Sequence, residues 1–192
     1  MESILISAGI VALAEFGDKT QLLAFILAAR FKKPAPIVLG ILCATVVNHG
    51  LAGLAGAWIT AQLSPPVLRW VLGASFIGMA TWTLIPDKIE EDEAKVARRL
   101  GVFGATLITF FLAEMGDKTQ IATVALAAHY SAPITVVIGT TLGMLAADVP
   151  AVIIGDRLAT RIPIKLVRTI AAGFFALLGL GIFSGIGAGP SA

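Results

Sequence analysis

One eight-residue stretch occurs twice in this chain, and its repetition constrains the fold more than any other feature of the sequence. The first copy runs from Ala14 to Gln21 and the second from Ala113 to Gln120, at a spacing of 99 residues. The same offset aligns identical residues beyond the motif without a gap: Ala28 with Ala127, Pro34 with Pro133, Gly40 with Gly139, Gly56 with Gly155, Arg69 with Arg168 and Phe76 with Phe175. The sequence therefore predicts two copies of one structural unit.

The apolar runs of the chain are long enough to cross a membrane. The composition is 57% hydrophobic and 14% charged, and the mean hydropathy is +0.92. Because a spanning helix needs about 20 apolar residues, we expect an all-α, polytopic membrane protein without a soluble domain. Six transmembrane helices are predicted near residues 3–29, 36–60, 66–86, 101–128, 133–156 and 165–187. The predicted divisions are repeat 1 over 1–86, a linker over 87–100 and repeat 2 over 101–192.

The lysines and arginines predict how the chain is oriented in the membrane. Outside the two motifs, eleven basic residues lie toward one set of helix ends, among them Lys165 and Arg168, which we assign to the segment between helices 5 and 6. Only Arg69 lies at the opposite ends. Basic residues favour the cytoplasmic side, so the linker is predicted to be cytoplasmic and both termini extracytoplasmic. Three helices per repeat is an odd number, so the second repeat is expected to be inverted, as in many transporters.

The motif places carboxylates near the middle of the membrane, where charge is costly and indicates function by default. Glu15 lies about twelve residues into helix 1, which corresponds to roughly 18 Å of a hydrocarbon core about 30 Å thick. Glu15 and Asp18 are three residues apart and are predicted to share one helical face. The same holds for Glu114 and Asp117 in helix 4. Inversion of the repeats is then expected to bring the four carboxylates together as one metal site.

The charge of this cluster points to a divalent cation. Four carboxylates and the two motif lysines, Lys19 and Lys118, leave a formal charge of −2, which one divalent cation or two protons would neutralise. Oxygen ligands suit Ca²⁺, Mg²⁺ and Mn²⁺. Neither motif contains a cysteine or histidine, which argues against Cu⁺ or Zn²⁺ as the main cargo. Further oxygens are expected from the polar residues that follow the acids: Thr20, Gln21, Thr119 and Gln120. The alternative is that these charges only form salt bridges that hold helices together.

Other polar residues within the apolar runs are interpreted as supporting groups. Asp148 is expected to pair with Lys19 or Lys118, or to form a step on a proton path. His49 aligns with Asp148 at the 99-residue offset and is interpreted as a packing residue, with a proton relay as the alternative. Cys43, the single cysteine, is interpreted as a packing residue and excludes a dithiol redox centre or a disulfide framework.

Glycine and proline mark places where the predicted helices are expected to depart from regular geometry. Gly17 and Gly116 each follow a motif glutamate by two positions and are expected to loosen their helix or to admit a neighbouring helix closely. Pro150 lies inside helix 5 and is predicted to kink it and to free a backbone carbonyl.

The two Glu-x-Gly-Asp-Lys-Thr motifs, Glu15–Thr20 and Glu114–Thr119, resemble those of a known family of cation transporters. That family includes the Golgi Ca²⁺/Mn²⁺:H⁺ exchangers of eukaryotes and the bacterial manganese exporters. The resemblance covers essentially the whole chain. It implies secondary cation transport, in which Glu15, Asp18, Glu114 and Asp117 bind the ion. The absence of a long N-terminal presequence is typical of a bacterial member in the plasma (inner) membrane.

Together these features predict an antiporter that exports Mn²⁺, Ca²⁺ or both in exchange for protons. The expected partners are the metal ion, protons and the lipid bilayer, and no cofactor or nucleic acid is expected. An exporter of a small organic solute, such as an amino acid, is the alternative, and an ion channel is also compatible with the sequence. An enzyme is disfavoured because the sequence offers no haem-ligand pair and no Ser/His nucleophile constellation.

The predicted topology can be tested by cysteine accessibility in a Cys43→Ser background. Ser191→Cys should react with a membrane-impermeant maleimide applied outside intact cells, because the C-terminus is predicted to be extracytoplasmic. Glu91→Cys, in the predicted cytoplasmic linker, should react only after the membrane is permeabilised. Reaction of Ser191→Cys from the cytoplasmic side alone would contradict the inverted-repeat assignment.

Overall fold

The structure, a computed structural model, describes residues 1–85, 100–154 and 164–185, and these residues are helical with no strand. The helices are α1 (Glu2–Glu15), α2 (Lys19–Phe31), α3 (Pro34–Gln62), α4 (Pro65–Thr83), α5 (Gly101–Glu114), α6 (Lys118–Tyr130), α7 (Pro133–Ile154) and α8 (Ile164–Phe183). The all-α prediction is confirmed. The predicted linker lies outside the described residues except for Leu100, and so does the C-terminal residue Ser191.

The two predicted helices that contain the motifs are not continuous, so the prediction of a single unbroken helix over 3–29 and over 101–128 was wrong. Each run is divided into two helices by a short break inside the motif, at 16–18 and at 115–117. The cause is the backbone of the motif glycine, since φ is +76° at Gly17 and +77° at Gly116. Such angles lie in the left-handed region, which glycine adopts without strain but which a right-handed helix cannot contain.

Two helices of the described chain are long and apolar enough to cross a membrane by themselves: α3, with 29 residues, and α7, with 22 residues. They occupy equivalent places in the two sequence repeats. The helices α1, α2, α5 and α6 are each 13 or 14 residues long because the breaks divide them. The arrangement of six spans and their inversion therefore stay predictions.

The contacts between helices are reciprocal between the repeats. The helix α1 packs extensively on α7, and its counterpart α5 packs on α3. A Cβ atom added to Gly40 would lie 2.7 Å from the Cβ atom of Thr106, and one added to Gly139 would lie 3.0 Å from that of Ser7. Ser7 and Thr106 are themselves 99 residues apart. The two copies of the repeat thus pack against each other with exchanged contacts.

This reciprocity fails for α4 and α8. They pack on each other, with the rings of Phe76 and Phe175 stacked at a centroid separation of 6.3 Å. One hydrophobic core includes side chains of α4 and α8 together with those of α1, α6 and α7, whereas a second core draws on α2, α3, α5 and α7. In addition, α4 packs on α6 and α8 on α1, while the equivalent packing of α8 on α2 and of α4 on α5 is at most slight within the described residues. We refer to these two helices as the α4–α8 pair.

The close approach of α7 to α1 predicts a position-specific effect of adding one methyl group. A Cβ atom at Gly139 would lie 2.5 Å from the backbone oxygen of Ile4, so Gly139→Ala forces the helix backbones apart. We expect it to lower the free energy of unfolding by about 1–3 kcal/mol, as overpacking typically does. Thermal unfolding of the purified protein in detergent measures this change.

Gly50→Ala is the matched control, because a Cβ atom at Gly50 would meet no atom within 4 Å beyond the adjacent backbone of its own helix. Alanine is favoured over glycine inside a helix by about 1 kcal/mol, so this variant should be as stable as the parent or more stable. Equal melting temperatures for Gly139→Ala and Gly50→Ala would contradict the close packing of α1 on α7.

Candidate metal centre

Hydrogen bonds within the first motif hold its break in place. Glu15 is the last residue of α1, and its Oε2 accepts a hydrogen bond of 2.6 Å from the Thr20 hydroxyl, across the break. The backbone N–H of Gly17 donates to Oε1 of Gln21 at 2.9 Å. The carboxylate of Glu15 is therefore oriented by the first turn of α2.

The second motif repeats this arrangement. The Thr119 hydroxyl donates to Oε2 of Glu114 at 2.9 Å, and the Gly116 N–H donates to Oε1 of Gln120 at 2.7 Å. The residues predicted as supporting polar groups thus lie at the two breaks, where each threonine orients a glutamate and each glutamine stabilises a glycine turn. Their contribution as ligands stays a prediction.

Two ion pairs cross between the motifs. Nζ of Lys118 lies 2.7 Å from Oδ1 of Asp18, and Nζ of Lys19 lies 3.7 Å from Oδ1 of Asp117. The first pair is fully buried, whereas the Lys19 side chain is 21% exposed. Each motif thus supplies a lysine to the aspartate of the other motif.

The prediction that Glu15 and Asp18 share a face of one helix was wrong. Asp18 and Asp117 lie in the breaks, as the residues immediately before α2 and α6, with extended backbone. The two aspartates are therefore placed by the first turn of the following helix, and the two glutamates by the last turn of the preceding one. The break allows each motif to present its acids from two helix ends.

Three of the four motif acids meet. Glu15, Glu114 and Asp117 each contribute one carboxylate oxygen to a group in which the oxygens lie within 4.8 Å of one another. These side chains are at most 2% exposed. Oε1 of Glu15 and Oε1 of Glu114 accept no hydrogen bond among the described residues. Oxygens on opposite sides of one Ca²⁺ ion are separated by about 4.6–5.2 Å, twice the usual metal–oxygen distance, so this spacing fits a single cation.

Asp148 adds a fifth carboxylate. It lies on α7, is fully buried, and neither of its oxygens accepts a hydrogen bond within the described chain. The expected pairing with Lys19 or Lys118 is absent among the described ion pairs. It lies instead near the like-charged motif acids Asp18, Glu15 and Glu114. The preceding carbonyl, of Ala147, accepts a hydrogen bond of 3.1 Å from Nε2 of Gln21, which ties α7 to the first motif.

The equivalent position in the first repeat is His49 on α3. It is fully buried, and neither ring nitrogen takes part in a hydrogen bond among the described residues. Its neighbour Asn48 donates from Nδ2 to the Phe111 carbonyl at 3.0 Å, which joins α3 to α5. The two repeats therefore differ chemically at this position, with a carboxylate in one and an imidazole in the other.

One residue beside the centre was missed by the sequence analysis. Nη2 of Arg168 donates to the Gly17 carbonyl at 2.8 Å, inside the first break. Lys165 and Arg168 lie within α8, as the helix predicted over 165–187 implies, so their assignment to the connecting segment was wrong. The 99-residue offset could have singled out Arg168, because it aligns Arg168 with Arg69 within the second half of each repeat.

Comparison with known proteins finds one matching family and several similar proteins. The sequence profile of the family described as "Divalent cation/proton antiporter GDT1" matches residues 3–91 and 102–186. A protein of Vibrio cholerae serotype O1 named "Putative manganese exporter" is 50% identical over 181 residues, covering 94% of this chain and 90% of the relative. GDT1-like protein 3 of Oryza sativa subsp. indica is 32% identical, covering 91% of this chain and 71% of the rice protein. GDT1-like protein sll0615 of Synechocystis sp. is 30% identical, covering 88% and 90%. No solved structure matches the chain.

The two crossed ion pairs should contribute unequally to stability. Lys118→Met removes a buried ion-pair partner of Asp18 and is expected to cost about 3–5 kcal/mol, the usual effect of breaking a buried ion pair. Lys19→Met removes a longer pair whose lysine is 21% exposed and should cost less than Lys118→Met. Thermal unfolding in detergent without added metal compares the two variants. Equal losses of stability would contradict the asymmetry of the two pairs.

Proposed function

Since the chain belongs to the GDT1 family of divalent cation/proton antiporters, we propose that it exports Mn²⁺, Ca²⁺ or both in exchange for protons. The observation that carries this proposal is the buried group formed by Glu15, Glu114 and Asp117, whose oxygens lie within 4.8 Å of one another. Two of the three acids come from one repeat and one from the other. A single ion would therefore be held between the repeats.

The donor atoms favour a hard divalent cation. The clustered side chains provide carboxylate oxygens, and neither cysteine nor histidine belongs to this group. Such ligands suit Ca²⁺ and Mn²⁺ better than Cu⁺. The 50% identical relative that is named as a manganese exporter supports Mn²⁺ as one cargo. A zwitterionic amino acid would have to place its own carboxylate beside these acids, which disfavours an organic solute.

Asp18, the fourth motif acid, is proposed to act together with Lys118. Its Oδ1 lies 2.7 Å from the lysine ammonium, so it fixes a positive charge next to the other three acids. An arriving divalent cation is repelled by this ammonium and attracted by the carboxylates. We propose that a bound ion draws Asp18 toward the shared site and that Lys118 returns to Asp18 when the ion leaves.

The charge balance supports exchange for protons. Five buried carboxylates, including Asp148, face two lysines, which leaves a formal charge of −3. One divalent cation leaves this cluster with a single negative charge, and a proton on a remaining carboxylate would neutralise it. Buried charge without compensation is costly, so protons are needed at the same oxygens after the cation leaves. Metal and protons therefore compete for one set of acids.

The placement in the membrane is also a proposal. Reciprocal packing and crossed ion pairs between the repeats support six membrane spans in two inverted halves, with the centre near the middle of the bilayer. The plasma (inner) membrane of a bacterium is the proposed location, with both termini outside. The family and the V. cholerae relative support a membrane protein of this type.

Replacing one acid of each repeat by its amide tests the proposal. Glu15→Gln and Glu114→Gln keep the side-chain shape but remove a charge from a site that both repeats share. Each single variant should therefore lose most Mn²⁺ uptake into reconstituted vesicles under an imposed pH gradient, and most Mn²⁺ binding in calorimetry. Ca²⁺ and Mg²⁺ are measured in parallel to define the cargo.

Glu2→Gln is the matched control, since Glu2 is an exposed glutamate at the other end of α1. It should transport and bind like the parent protein. Binding of Mn²⁺ at the parental affinity and stoichiometry in both Glu15→Gln and Glu114→Gln would rule out the shared site. Uptake of an amino acid, without any uptake of divalent cations, would instead favour the organic-solute exporter.

A further inference from the structure

We infer that Arg168 and Arg69 are alternating positioning residues, each of which holds the α4–α8 pair over one of the two helix breaks. The inference rests on the proposed function, because a carrier must expose its ion site on one side of the membrane at a time. In each of the two states, one of these arginines makes the contact that holds the α4–α8 pair in place.

The hydrogen bond from Arg168 to Gly17 connects α8 to the first break. The Gly17 carbonyl lies between Glu15 and Asp18, and the guanidinium of Arg168 is half-buried there, at 2.8 Å. A hydrogen bond from a charged donor is stronger than one between neutral groups. We call this hydrogen bond the first latch.

The equivalent arginine does not make the equivalent hydrogen bond. Symmetry would pair Arg69 with the carbonyl of Gly116 in the second break. Instead, Nη2 of Arg69 donates to the carbonyl of Phe183, at the end of α8, at 2.6 Å. Arg69 and Gly116 are both exposed, and the neighbouring Met115 is 55% exposed, whereas Gly17 is half-buried. The first break is thus covered and the second is not.

The packing of helices shows the same difference. The α4–α8 pair contacts α1 and α6 and shares a hydrophobic core with them, while the second core, as far as the structure describes the chain, contains no side chain of α4 or α8. The pair therefore lies on one side of the metal centre.

If the two repeats exchanged their contacts, the α4–α8 pair would lie over the second break instead of the first. The 99-residue offset would place the α4–α8 pair on α5 and α2, with Arg69 donating to the Gly116 carbonyl. Arg168 would then donate to the carbonyl of Leu84, the equivalent of Phe183. Each arginine keeps one hydrogen bond in both arrangements and only changes its acceptor. Two arrangements with equal numbers of such bonds can have similar free energies, as switching between them requires.

The test uses two reporter cysteines at equivalent positions, Phe16→Cys and Met115→Cys, each in a Cys43→Ser background. Their rates of reaction with a water-soluble maleimide are measured in the purified protein. In the parent, Met115→Cys should react faster than Phe16→Cys. Adding Arg168→Ala removes the half-buried latch and loses only an exposed contact in the other arrangement. It should raise the rate at Phe16→Cys and lower that at Met115→Cys, so that the ratio of the two rates changes by about tenfold, the factor expected for one charged hydrogen bond.

Arg69→Ala should have the opposite effect, lowering the rate at Phe16→Cys. The hydrogen bond from Arg69 to the Gly116 carbonyl, which we call the second latch, forms only in the other arrangement. Lys165→Ala is the matched control. It removes a positive charge from an exposed position one turn before Arg168 and should leave both rates unchanged. If Arg168→Ala does not yield folded protein, Arg168→Gln should shift both rates in the same directions as predicted for alanine.

Parental rates in folded Arg168→Ala or Arg168→Gln would overturn the inference, as would an increase at both reporters or shifts of the same sign in the Arg168 and Arg69 variants. Labelling requires neither metal nor transport. Opposite shifts in a protein that transports no cation would leave the latches in place and contradict the proposed function. Normal cation transport with unchanged labelling would contradict the latches and leave the proposed function in place.

Discussion

The crossed ion pairs are the interaction on which the rest of the centre depends. A buried lysine or carboxylate alone loses several kcal/mol of hydration, and this chain buries both kinds within one small volume. Lys118 and Asp18 compensate each other at 2.7 Å although they lie 100 residues apart in the sequence. Because each motif supplies the partner for the other, neither repeat can form its half of the centre alone. The buried charges thereby fix how the two repeats are joined.

The helix breaks give these charges their positions. Each break ends one helix at a glutamate and begins another immediately after an aspartate, so carboxylates come from two helix termini instead of one continuous face. The carboxyl ends of α1 and α5 carry partial negative charge from their carbonyl groups, which favours a cation beside them. Transporters that bind ions at discontinuous helices use the same property. A left-handed glycine in each motif is sufficient to create this geometry.

Much of this could be read from the sequence, and the missed parts have identifiable causes. The 99-residue repeat predicted the equivalence of Glu15 with Glu114 and of Lys19 with Lys118. The structure shows the two glutamates in matching environments, whereas Lys118 is buried and Lys19 is 21% exposed. The breaks were missed because apolar residues continue through each motif, and a single glycine is tolerated in many helices. The environment of Asp148 was misjudged because its neighbours come from distant helices. Arg168 was overlooked since its charge served only as a topology signal.

The glycines at the helix contacts also decide which parts of the molecule are stiff. At Gly139 and Gly143 the backbone of α7 lies directly against backbone atoms of α1, with no side chain between them to change rotamer. The contact between α4 and α8 is different, because Gly73 faces the ring of Phe183 and Gly179 faces the side chain of Ile77. Mechanical load applied to this protein would therefore distribute unevenly. The α1–α7 contact would deform little, and most of the deformation would occur where the α4–α8 pair meets the rest of the bundle.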